Sequence, residues 1–139
     1  MTDSQLLILA DIILVIHFVI AAYLTLGLPV IWLGRLANRS FVHNPWFRYS
    51  HAGLMAVVLM ESLIGVFCPL TLWEGALRGA AGQPGTGQGE SFVSHWLGQI
   101  LFHNYDETTF TIIYVVIFLL IALTLFLIPV RKKRKKMPN

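Results

Sequence analysis

Four ionisable residues stand inside long apolar stretches of this 139-residue chain: Asp11, His17, His51 and Glu61. An ionisable side chain in hydrocarbon is costly unless paired, hydrated or bound, so each marks a candidate site. Carboxylate and imidazole together suit iron, manganese or zinc, and imidazoles from two helices suit the axial positions of haem b. Acids and histidines at stepped depths also build proton relays, or meet the polar head of a quinone-like ligand. A denser motif follows, with Cys68, Thr71, Glu74 and Arg78, and further on stand His95 and His103.

Spacing narrows these options. Counting the helical rise from the acidic ends of the apolar blocks puts Asp11 about 8 Å deep, Glu61 about 10 Å, His17 about 16 Å and His51 about 25 Å. The two acids are level, so Asp11 and Glu61, capped from above by His95, form the predicted metal set. A haem shared by His17 and His51 must bridge a difference in depth of about 9 Å. His95 and His103, about 12 Å apart along a helix, cannot share one metal ion. Asp11 and His17 point about 120° apart, so a proton wire through both needs a helix between them. In the plainer alternative these groups satisfy one another and only fix the bundle.

The motif after Glu61 reads as a corner. Glu61 and Cys68 fall about 20° apart on a continuous helix. Pro69 suits the first turn of a new helix, Thr71 and Glu74 have capping-box spacing, Glu74 and Arg78 pair at i,i+4, and Gly79 is a natural C-cap. Cys68 is either a copper-binding or redox thiol or, more plainly, a packing residue. Arg78, alone among acids, is a candidate anion contact.

The elements that carry these residues are membrane spans. An apolar share of 56% and a mean hydropathy of +0.70, concentrated in blocks, predict an all-α integral membrane fold in a single domain, 1–139. Spans are predicted at residues 6–26 (kinked at Gly27 and Pro29, extending to 36), 47–67 and 108–128. The start lacks a basic signal-peptide region, so the first block is read as a retained helix. Arg35, Arg39 and Arg48 flank the first connection and a basic tail, 129–139, follows the last span. Both then lie in the cytoplasm, with the N-terminus and residues 68–107 exoplasmic. That connection is predicted to form a cap of two short helices, joined by a glycine-rich tether over residues 79–89. Its second helix, 91–103, is amphipathic. One cysteine excludes an internal disulfide. The sequence has no nucleotide-binding loop, no hydrolase triad and no aromatic-interleaved basic patch for nucleic acid.

Taken together, Asp11, His17, Gly27, His51, Glu61, the Cys68-Pro69-Leu70-Thr71 segment with Glu74 and Arg78, and Phe92 with His95 resemble a bacterial family of small multi-pass inner-membrane proteins of unknown function. The resemblance covers about residues 8–105. Where that family often carries a Tyr-Pro pair, Phe102-His103-Asn104-Tyr105 stands here, and His103 is peculiar to this chain. The resemblance implies a bacterial inner-membrane location and supplies no activity. The leading expectation is a non-enzymatic membrane protein that binds a ligand or cofactor (haem, metal or quinone-like) at Asp11, His17, His51, Glu61 and His95, as an accessory to a redox complex. The alternatives are a structural or assembly subunit and a small proton or solute carrier. Expected partners are membrane lipid and either further copies of the chain or a larger membrane complex.

Overall fold

A computed structural model of the protein describes residues 1–85, 96, 98–100 and 106–131, and every regular element among them is helical. The first, α1 (Asp3–Leu36), begins before the apolar pattern does because Thr2 and Gln5 cap it reciprocally. The Gln5 N–H donates to Thr2 Oγ1 at 3.4 Å, and the Thr2 N–H donates to Gln5 Oε1 at 3.0 Å. The helix runs through Gly27 and Pro29 to Leu36, the end expected for its extension. Pro29 removes one backbone donor, which a long helix tolerates when it is packed. Gly27 serves a contact: a Cβ there would collide with His51 Nε2.

A 3₁₀ turn (Ser40–His43) leads to α2 (Pro45–Ile64). Asn44 caps α2, its Oδ1 accepting from the Trp46 N–H at 3.0 Å, and Pro45 occupies the first helical position. The helix stops three residues short of the predicted end because Gly65 takes the left-handed conformation, φ 78°. Glu61 and Cys68 therefore sit on two sides of a corner and not on one helix. Next comes α3 (Pro69–Ala80), with Pro69 at its first position as expected. Thr71 lies within its first turn and not at its cap. Its C-cap is Ala81, followed by Gly82 at φ 72°, and not Gly79. The last described helix is α4 (Glu107–Leu127). Most of the predicted second cap helix, 91–103, lies outside the described residues.

Two apolar clusters join α1, α2 and α4. Leu24, Met55 and Ile121 meet at mid-height, and Ile31, Val42 and Ile128 meet near the basic end. Between them Arg48 is buried: Nη1 donates to the Val42 carbonyl at 3.2 Å and Nη2 to Thr124 Oγ1 at 3.0 Å. Closing that end, the His43 Nδ1–H donates to the Pro129 carbonyl at 2.7 Å, and the Arg131 N–H to the His43 carbonyl at 3.1 Å.

Two helices are long and apolar enough to cross a membrane: α1, with a window of mean hydropathy 2.6, and α4, with 2.9. Only 6% and 17% of those windows are buried, so their apolar faces point outward in the manner of a chain solvated by lipid. The pair α2–α3, bent by 68°, makes a third if counted as one broken span.

The Gly27–His51 contact has a direct test. Gly27→Ala must displace a fully buried imidazole and is expected to destabilise by about 1–3 kcal/mol, read as a lower melting temperature in detergent. Gly53→Ala, which meets nothing within 4 Å, is expected to leave stability unchanged or raise it by about 0.5–1 kcal/mol. Equal melting of Gly27→Ala and wild type would remove His51 from the helix contact.

Candidate functional site

The corner at residues 65–68 decides what the polar residues meet. Beyond it, α3 packs along the first half of α1, while α2 keeps its main contact with α4. At the mid-height cluster the helices are together, and towards the acidic end the pairs α1–α3 and α2–α4 part. Between them opens a cavity of about 360 Å³. Leu24 and Met55, members of that cluster, form its floor, with Ile20, Val58 and Ile117 on the walls. Its rim is polar, carrying His17, Glu61, Cys68, Thr71, Glu107 and Thr111. Ser62, also at the rim, lies 2.6 Å from Thr111, whose hydroxyl donates to the Glu107 carbonyl at 3.1 Å, tying α2 to α4.

Of the predicted binding residues, His17 and Glu61 share this cavity although they come from different helices. Thr71 reaches His17 across the α1–α3 contact, Oγ1 to Nδ1 at 3.5 Å, and the Cys68 thiol stands beside the Glu61 carboxyl at the corner. Asp11 is elsewhere. Its side chain is 63% exposed and accepts from Arg78 Nη2 at 2.6 Å. The same guanidinium donates through Nε to Glu74, which is 3% exposed and lies on the α1 side of α3. Arg78 thus joins an exposed acid to a buried one, and Glu74 in turn stands close to His17.

His51 lies below the cavity and does not line it. Its Nε2–H donates to the Leu24 carbonyl at 3.0 Å, while Nδ1 is buried without a hydrogen-bond partner. Tyr23 meets the ring edge-on at 5.4 Å and Phe47 stacks at 6.3 Å. His51 and His17 do not face a common space, so the geometry brings together no axial pair for haem. Among the described residues no three His, Cys, Asp or Glu side chains group closely enough to hold a metal ion. His95, the third member of the predicted metal set, and His103 lie outside them.

Three participants escaped the sequence reading. Ser62 and Thr111 are short hydroxyls whose apolar surroundings gave no period to follow. Arg48 counted as a flanking topogenic charge, yet it is 1% exposed. A signal was present for it: Asn44-Pro45 starts a helix, and four residues on an arginine must enter the first turn, facing Thr124 or lipid.

The two ion pairs of Arg78 are expected to differ in worth. Asp11→Asn, at an exposed acid, is expected to cost less than about 1 kcal/mol. Glu74→Gln weakens a charge-assisted bond at a buried acid, and about 1.5–3 kcal/mol is expected. Thermal unfolding of the two variants side by side checks this order, and an equal or reversed order contradicts it.

Comparison with known proteins adds one assignment. No curated protein and no solved structure matches the chain. A family model described as Protein of Unknown function (DUF2784) matches residues 7–130, nearly the whole length, and the chain belongs to that family.

Proposed function

We propose that the protein is a multi-pass membrane protein that holds a small amphiphile in the cavity between its two helix pairs. The supporting observation is the convergence of His17 and Glu61, from separate helices, on one space with an apolar floor. Ligand sites of this size class combine mostly apolar walls with a few placed polar groups, as this one does. The apolar body of the ligand rests on Leu24 and Met55, and its polar head meets the rim. A quinone is one member of this class. Haem bridging His17 and His51 is not favoured, because the Leu24 carbonyl occupies His51 Nε2 and Gly27 abuts it.

In the same proposal α1, the bent pair α2–α3 and α4 cross a bacterial inner membrane. Arg35, Arg39, Arg48 and the tail are cytoplasmic, and the acid-bearing end is exoplasmic. The cavity then opens towards the outer half of the bilayer, where an amphiphile can enter from lipid.

Native mass spectrometry of gently solubilised protein tests the binding. Wild type is expected to carry an adduct of fixed mass, and Ala21→Trp, which fills the cavity from α1, is expected to lose most of it while melting normally. An adduct retained equally by Ala21→Trp places the ligand elsewhere. A wild type that carries none, even after incubation with a short-chain quinone, contradicts the proposal.

A further inference from the structure

Resting on the cavity assignment above, we infer that the ligand carries a carbonyl group and that Tyr114 recognises it, donating its phenolic proton to the carbonyl oxygen part-way down the α4 wall. The fate of the cavity's hydroxyl protons carries this. Thr25, Ser62, Thr71, Thr111 and Tyr114 are the hydroxyl-bearing side chains among the described lining residues. Four of them are engaged within the protein. Thr25 donates to the Ala21 carbonyl at 2.8 Å, and Thr111 donates to the Glu107 carbonyl at 3.1 Å. With that proton committed, Thr111 offers Ser62 a lone pair, and the Ser62 hydroxyl donates to it at 2.6 Å. Thr71 faces His17 Nδ1 at 3.5 Å. The Tyr114 hydroxyl has no hydrogen-bond partner among the described residues.

A tyrosine set in an apolar wall usually partners its O–H, because an unmet donor forfeits the bond it made in water. Tyr114 lies about 4.5 Å below Thr111 along α4, and its ring packs against the cluster of Leu24, Met55 and Ile121. Packing fixes the ring and leaves the hydroxyl one soft rotation, so the donor is in place before a ligand arrives. The groups at its level decide what can accept. Ser62 meets Thr111 across the α2–α4 contact, so one turn deeper α2 presents Val58 to the cavity. One turn below His17, α1 presents Ile20 and Ala21. None of these three side chains holds an acceptor. A ligand hydroxyl accepting from Tyr114 would bring a second proton to that level with no side chain to receive it. A bare hydrocarbon would leave the phenol unmet. A carbonyl oxygen brings lone pairs and no proton. The ligand class is therefore an amphiphile whose apolar body bears a carbonyl, as a quinone or an ester does.

Two probes with the same fused rings, one with carbonyls and one without, decide the question: 2,3-dimethyl-1,4-naphthoquinone and 2,3-dimethylnaphthalene. Both carbons of the quinoid double bond are methylated, which blocks addition of the Cys68 thiol. Binding is measured by equilibrium dialysis against the purified full chain, after subtraction of partition into empty micelles. Infrared difference spectra read the carbonyl stretch of the bound quinone. Tyr114→Phe is expected to weaken the quinone about three- to tenfold, the range one neutral hydrogen bond supports, and to leave the hydrocarbon unchanged or slightly tighter. The carbonyl band is expected at lower frequency in wild type than in Tyr114→Phe, and Ala21→Trp is expected to abolish binding of both probes. An equal effect of Tyr114→Phe on the two probes, or none on the quinone, overturns the carbonyl inference. Where Ala21→Trp still blocks the probes in that case, the cavity assignment stands. Should Tyr114→Phe fail to fold, a wild-type carbonyl band unshifted from that of the quinone in empty micelles overturns the inference by itself. If neither probe binds, both readings fail.

Discussion

Ending a helix beneath an apolar surface leaves carbonyls without partners, and the corner after α2 answers that constraint. Gly65 turns left-handed, and the Gly65 and Val66 N–H groups both close onto the Glu61 carbonyl at 3.0 Å. The chain can then restart at Pro69, whose missing N–H costs nothing in a first turn. Because α3 leaves at 68° to α2, it lies against α1, and α1 is held off the upper part of α2. The cavity is the space so created. A straight α2 reaching Cys68 would put Glu61 and Cys68 on one face and would leave α3 no reason to pack on α1.

A second constraint works at the opposite end. The Arg48 guanidinium has neutral acceptors, one carbonyl and one hydroxyl, in place of a carboxylate. Thr124 can serve because its own proton goes to the Ile121 carbonyl at 2.7 Å, which leaves its lone pairs towards Arg48. The clusters above and below Arg48 pin three helices together there, so the divergence is confined to the acidic end. Polar chemistry is thereby split into a closed, structural end and an open end with an acid-rimmed cavity.

Much of this was legible in the sequence. Long apolar blocks announced the helices, Pro69 marked the restart, and the i,i+4 order of Glu74 and Arg78 announced their pair. His17 and Glu61 drew attention because ionisable groups are rare in such blocks. What stayed hidden depended on partners distant in the chain. Gly27 read only as a kink position beside Pro29, since a glycine needed for a neighbouring imidazole looks the same as one that weakens a helix. Thr71 and Glu74 read as a capping box, since the spacing that caps a helix also places two side chains on one face, here the face buried against α1. Asp11 and Glu61 are level by counting, yet Arg78 takes one and the cavity takes the other. Depth along a helix is legible; direction around it needs the packing.

The parted helix pairs enclose a space that reaches Cys68, the chain's only cysteine. A sharp test is the rate at which N-ethylmaleimide, a small apolar reagent, modifies that thiol in wild type and in a variant whose cavity is filled from the floor, Leu24→Phe. Cys68 lines the cavity at the corner, and Leu24 lies on its floor. Slower labelling is expected in the variant, with equal labelling once both proteins are unfolded. Identical rates in the two folded proteins would mean that the thiol is reached by another route and that the space assigned to the ligand is not continuous.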